Sequence, residues 1–184
     1  DFSNANWIVT RGTLSSSSVS PDGTSATLFT EDTSPASNHT IYRTFSGVSG
    51  TTYTTSIYAK HNGRNVRLAQ TITESFSADF DLVNGTYSAV LGDSASIIDV
   101  GNGWYRCSLT YTLTSTHACT VVAYMLENGS TTITGDGVSG IYIWGAQAEA
   151  SDTMGVYVPT TDSPASGGYP LRPWSYIEID QQPW

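Results

Sequence analysis

Apolar and polar side chains alternate along most of this chain with the period of two that a half-buried strand imposes. Gly, Asn, Asp and Pro break the pattern at short intervals, as turns require. The pattern predicts strands over residues 25–30, 40–45, 52–60, 65–72, 76–82, 94–100, 104–113, 119–126 and 140–149. No segment carries the 3.6-residue period of an amphipathic helix. Eight or nine strands with no helix to cover a sheet predict an all-β, two-sheet antiparallel β-sandwich.

The alternation also assigns faces. In 52–60, Tyr53, Thr55, Ile57 and Ala59 point inward, and Thr54, Ser56, Tyr58 and Lys60 point outward. In 104–111, Tyr105, Cys107, Leu109 and Tyr111 point inward, leaving Trp104, Arg106, Ser108 and Thr110 outside. In 119–126, Cys119, Val121, Ala123 and Met125 are the inward set, with Thr120, Val122, Tyr124 and Leu126 opposite. In the last strand, Tyr142, Trp144, Ala146 and Ala148 pointing inward would place Gln147 and Glu149 outside.

Two hairpins are expected. His61-Asn62-Gly63 joins 52–60 to 65–72, and a polar stretch joins 104–113 to 119–126. Centred near Leu113, the second hairpin would bring Cys107 and Cys119 within disulfide reach. Centred two residues later, it would not.

If these strands are neighbours in one sheet, their outer face collects Tyr58, Lys60, Arg106, Tyr124, Gln147 and Glu149. Aromatic rings stack on the C–H face of a pyranose, and amides, carboxylates and cationic groups bind its hydroxyls. This set is therefore the candidate carbohydrate-binding site.

Composition narrows the functional classes. Charged residues make up only 12% of the 184, with 16 acidic against 7 basic side chains and a net charge of −9. Without a basic run, nucleic acid is not an expected partner. No apolar run approaches the ~20 residues of a spanning helix, so no membrane insertion is expected. No Gly-x-Ser-x-Gly nucleophile motif or phosphate-cradling loop is present. His39, His61 and His117 fall in expected turns without partners at metal-ligand spacing. Carboxylates abound, but nothing selects a glycosidase pair among them, so no enzyme is expected. The acidic turns at Glu31-Asp32, Asp136 and Asp152 are candidate oxygen ligands for a structural Ca²⁺.

Several strings carry a resemblance in order. They are Asp1-Phe2-Ser3-Asn4-Ala5-Asn6-Trp7, Pro21-Asp22-Gly23-Thr24 and Gly50-Thr51-Thr52-Tyr53-Thr54 running into Ser56-Ile57-Tyr58-Ala59-Lys60. Gly101-Asn102-Gly103-Trp104-Tyr105-Arg106, Gly140-Ile141-Tyr142-Ile143-Trp144-Gly145-Ala146-Gln147 and Tyr157-Val158-Pro159-Thr160-Thr161 follow. Together they resemble phage and prophage tail-fibre or adhesin modules similar to galactose-binding-like jelly rolls of the carbohydrate-binding-module kind. The resemblance implies a non-catalytic module on a virion surface or in an extracellular setting, recognising a cell-surface or environmental polysaccharide. It equally admits a structural virion or filament domain that contacts only protein, or a domain of a polysaccharide-degrading enzyme. Trp7 and Trp104 are expected to be structural rather than sugar-stacking.

Beyond Pro159 the texture changes. The sandwich is expected over 1–163, followed by a Pro/Gly/aromatic tail or linker over 164–184. The aromatic side chains of that tail suggest docking on other virion or filament subunits or in a homo-oligomer.

Overall fold

Twelve strands, and no helix, form among the described residues of the computed structural model, which are residue 2 and residues 4–160. They are β1 (Ile8–Thr10), β2 (Gly12–Val19), β3 (Ser25–Glu31), β4 (Thr40–Gly47), β5 (Thr52–Asn62) and β6 (Asn65–Gln70). β7 (Phe76–Asp81), β8 (Thr86–Leu91), β9 (Ser94–Gly101), β10 (Trp104–Thr112), β11 (His117–Leu126) and β12 (Gly140–Glu149) complete the series. The tail expected over 164–184 lies outside the described residues.

The strands build two six-stranded sheets. The first has the order β1-β4-β11-β6-β7-β8, and the second β2-β3-β12-β5-β10-β9. Strand pairings are antiparallel throughout. The result is the expected β-sandwich of jelly-roll type. Its core lies between the sheets, with Ile41, Leu68, Phe80 and Met125 from the first and Phe29, Ile57, Leu109, Ile141 and Ile143 from the second. Each such side chain contributes roughly 1.5–3 kcal/mol on leaving water. On β5, β10 and β11 the buried core residues Ile57, Ala59, Cys107, Leu109, Cys119, Ala123 and Met125 all belong to the inward sets that alternation predicts.

Pairing departs from expectation. Neither expected hairpin forms, because β5 and β10 belong to the second sheet and β6 and β11 to the first. Each short connection is an arch across the sandwich. Arg64 N donates to Gly140 O at the first arch, and Gly50 N donates to Leu113 O at the second. Alternation is the same whether the next strand pairs or crosses over, so the pattern alone could not separate the two. As a result Cys107 and Cys119 lie in opposite sheets, both buried and both free. Burial raises both thiol pKa values.

β12 also corrects its expected phase. Ile141 and Ile143 are fully buried in the core, so Tyr142 and Trp144 face outward. A register shift between Trp144 and Gln147 then restores the outward set, and Gln147 and Glu149 follow on the same outer face. Gly145 sits at this bulge with φ +57°. A Cβ there would lie 2.9 Å from Tyr58 Cδ2 and 3.3 Å from Tyr157 Cζ.

Gly145→Ala is therefore expected to destabilise the fold by ~1–3 kcal/mol through left-handed strain and this clash. Urea denaturation should show the lower midpoint, and an unchanged midpoint would refute the role given to the bulge.

Candidate functional site

The outer face of the second sheet gathers five of the six residues expected at the carbohydrate site. β12, β5 and β10 are adjacent, with Trp144 opposite Tyr58, Gln147 opposite Ser56, Glu149 opposite Thr54 and Arg106 opposite Tyr58. Lys60 lies farther along β5, between Trp104 and Tyr142. Tyr124 does not join them. It stands on β11 in the other sheet, because the chain arches between sheets after β10.

The part of this face around Tyr58, Arg106, Gln147 and Glu149 is not open. Residues 150–158 fold back across it as a strap, and four of its side chains hold the strap's backbone. Arg106 Nη1 donates to Gly155 O at 2.6 Å, and Glu149 Oε1 accepts from Gly155 N at 2.8 Å. Gln147 Oε1 accepts from Val158 N at 2.8 Å while its Nε2 donates to Val156 O at 3.3 Å. Thr54 Oγ1 donates to Ser151 O at 2.9 Å. Tyr157 meets Trp144 with ring centroids 4.7 Å apart and Tyr58 at 6.0 Å, and Tyr58 and Trp144 lie 5.0 Å apart. The Arg106 guanidinium lies 5.2 Å from the Tyr58 ring and also donates to Ser56 Oγ. These rings and polar atoms are engaged with one another and with the strap.

Both tryptophans expected to be structural have structural contacts. Trp104 is 2% exposed and donates its indole N–H to Val19 O at 3.1 Å. Trp7 packs on buried Phe2 with ring centroids 4.5 Å apart.

The first sheet presents a different outer face. One row of cross-strand neighbours runs Thr40, Tyr124, Arg67, Asp79 and Ser88 over β4, β11, β6, β7 and β8. The adjoining row contains Val122, Ala69 and Ser77. Arg67 and Asp79 form a two-bond ion pair, Nε to Oδ1 and Nη2 to Oδ2, the second at 2.8 Å. The bonds from Asp79 hold the Arg67 guanidinium above its ordinary pKa. Above these rows opens a groove of about 180 Å³, lined by Tyr124, Arg67 and Ser77 from strands and by Asn38, Ser75 and Thr131 from loops. Thr73, in the loop between Thr71 and Ser75, has φ +64°, a costly conformation for a β-branched residue. The loop carrying Thr131 also holds Asn128 at φ +50° and offers Gly129 O to Arg67 Nη2 at 3.5 Å.

A larger groove of about 880 Å³ lies among Trp7, Ser15, Thr24, Trp144 and Tyr157, and reaches Thr160, the last described residue.

Two further clusters bear on the expected chemistry. Glu31, Glu127 and Asp136 converge on Arg64, with Nη2–Oε1 of Glu31 at 2.7 Å, Nη1–Oε1 of Glu127 at 2.8 Å and Nη2–Oδ2 of Asp136 at 3.9 Å. A guanidinium thus lies against Glu31 and Asp136, two of the residues expected as calcium ligands. Asp32 bonds His39 Nε2 at 3.2 Å, and Asp152 is exposed. Among the described residues, no group of three or more His, Cys, Asp or Glu is disposed to hold a metal ion. Near the second arch, Ser115 Oγ and Glu74 Oε1 both face His117 Nδ1, at 3.3 and 3.7 Å, while Nε2 faces the Gln70 amide at 3.2 Å. A nucleophile relay needs its hydroxyl and carboxylate on opposite ring nitrogens, so this trio is not one. Glu74 instead accepts from Thr114 N and Ser115 N at 3.0 and 2.9 Å, which pins the arch.

No protein-family model matches the chain, and no curated protein sequence matches it. Among solved structures, it is similar to the enzymatically active domain of tailspike protein 4 of bacteriophage CBA120. The TM-score is 0.51 at 12% identity, covering 78% of this chain and 19% of that one. It is also similar to the CBM22-1–GH10 modules of Clostridium thermocellum xylanase 10B complexed with xylohexaose. Here the TM-score is 0.46 at 15% identity, covering 85% and 28%. A CBM4 structure gives a TM-score of 0.44 at 14% identity, covering 82% and 92%. The tailspike likeness extends to the fold.

Among the described residues, five carboxylates are held below their ordinary pKa values by hydrogen bonds, Asp32 chiefly by the Ser34 amide. For Asp136 the main donor is the Ser139 amide, for Glu74 the Thr114 amide, for Asp81 the Asn84 side chain and for Asp22 the Ser20 hydroxyl. A depressed folded-state pKa adds stability above the ordinary value and loses it as pH falls. The thermal midpoint is therefore expected to hold above about pH 5 and to fall steadily below ~4.5. Asp136→Asn should flatten that fall, as read by melting curves between pH 3 and about 6. A midpoint independent of pH in this window would contradict the assignment.

Proposed function

We propose that this chain is a non-catalytic carbohydrate-binding module of a phage-type fibre, adhesin or decoration protein, working at a virion surface or outside cells. The observation that carries the reading is the open groove over Tyr124 and Arg67. An aromatic ring, an oriented guanidinium and side-chain hydroxyls and amides share one concavity there, as sugar recognition requires. The ordered motif resemblance supports the fibre or adhesin setting. In this reading Tyr58, Arg106, Gln147 and Glu149 shape the domain by holding the strap, and Tyr124 meets the glycan.

Glycan arrays and affinity gels test the proposal. Tyr124→Ala should weaken binding on the order of tenfold, the ~1.4 kcal/mol of a lost ring contact, with the melting temperature retained. Tyr58→Ala should instead lower the melting temperature and leave affinity within about threefold. A wild-type chain that binds no glycan on a broad array would overturn the reading.

A second reading, a structural domain contacting other subunits, has its own observation. β8 and β9 are edge strands bearing Tyr87, Leu91 and Ile98 at 48%, 56% and 47% exposure. Unpaired edges with apolar side chains favour strand addition or lateral packing. Sedimentation velocity should then show concentration-dependent self-association that Leu91→Lys and Ile98→Lys abolish. A monomer at every concentration counts against this reading.

A further inference from the structure

Resting on the carbohydrate-binding reading, we infer that the groove over Tyr124 selects uncharged sugar residues, and that Asp79 sets this selectivity by occupying Arg67. An arginine in a sugar site ordinarily favours acidic sugars, because its planar fork matches a carboxylate or sulfate with two parallel bonds. Here that fork is already filled. Nε and Nη2 of Arg67 bond the two oxygens of Asp79, and Nη2 also reaches Gly129 O. Nη1 takes part in none of these bonds, which leaves it as a donor to a neutral hydroxyl.

Charge supports the same selection. The Arg67–Asp79 pair sums to zero, and the residues that line the groove besides Arg67 are uncharged. An acidic sugar would lose hydration on entry without gaining a free cation. It would also approach a chain of net charge −9. A neutral sugar meets none of these costs. It finds matched donors and acceptors in Tyr124, Asn38, Ser77 and Thr131, and the Tyr124 ring beside them.

Size restricts the ligand further. At about 180 Å³ the groove is smaller than the roughly 300–1,000 Å³ typical of drug-sized ligand sites. It suits a single sugar ring, such as a terminal or branch residue, better than a long run of backbone.

The test is isothermal titration with matched pairs of oligosaccharides that differ only in a neutral hexose or the corresponding uronic acid. The full chain is used, as wild type and as Asp79→Asn. The wild type should bind the neutral member on the order of tenfold more tightly, and salt should leave that affinity unchanged. Asp79→Asn frees the Arg67 fork and should narrow or reverse the ratio. The inference fails if the wild type prefers the acidic member, or if a folded Asp79→Asn chain keeps the wild-type ratio. The wild-type ratio alone decides the matter if the variant does not fold. Binding to neither member sinks the underlying carbohydrate reading instead, and the outcomes are thereby distinguishable.

Discussion

A guanidinium removed from water must find acceptors within the protein, and Arg106 is only 7% exposed on the outer face of the second sheet. Among the described residues, it has no carboxylate partner. Its neighbours are Gly155 O, Ser56 Oγ and the Tyr58 ring. The carbonyl comes from the strap, so charge burial and strap position depend on each other. Removing the strap would leave the cation without its shortest bond, and Gln147 and Glu149 without their backbone partners. The consequence reaches the rest of the molecule. A sandwich has two outer faces, and this contact covers the second around Arg106, Gln147 and Glu149, while the groove over Tyr124 stays open on the first.

The same rule governs Arg64, with a different result. Arg64 sits at the arch between β5 and β6, where Glu31 is fully buried as a side chain and bonds it through both oxygens. Without a cation, the buried Glu31 would face the charges of the more exposed Glu127 and Asp136 unopposed. Arg64 supplies that cation and ties the arch to the 134–139 loop, where Asp136 N also donates to Glu31. Desolvation opposes the charge on Arg64, but the bonds to Glu31 and the charges of Glu127 and Asp136 outweigh it and hold its pKa above the ordinary value. In both places an arginine side chain organises the joining of segments distant in sequence.

Strand existence and inward faces were legible because burial writes itself into alternation. Ile57, Leu109 and Met125 could be placed from spacing alone. Partners could not, because β5 to β6 and β10 to β11 look like hairpins in any account of turns and periodicity. β2 is silent in the pattern because its run of serines lacks an apolar stripe, and β8 because every position on it is exposed. The site shows the same limit. Strand pattern groups Tyr124 with Tyr58, although the arch sends it to the other sheet. Nothing in the pattern singles out Arg67 and Asp79, because their meaning lies in being cross-strand neighbours. A lone Arg between Val66 and Leu68 shows only an outward position.

An outward position is in turn not an exposed one, and this is where the two sheets differ most. The bulge at Gly145 brings Trp144, Gln147 and Glu149 onto one face, yet each then engages the strap or an adjacent ring. On the first sheet the ion pair is buried unevenly, with the Arg67 side chain at 26% exposure and Asp79 at 8%. The acid is the more withdrawn partner, so the groove displays guanidinium N–H groups, while the negative charge that cancels them sits beneath. Such a surface keeps hydrogen-bond direction without net charge. For a ligand made of hydroxyls and C–H faces, that combination retains geometry while avoiding the desolvation cost that a bare cation would carry.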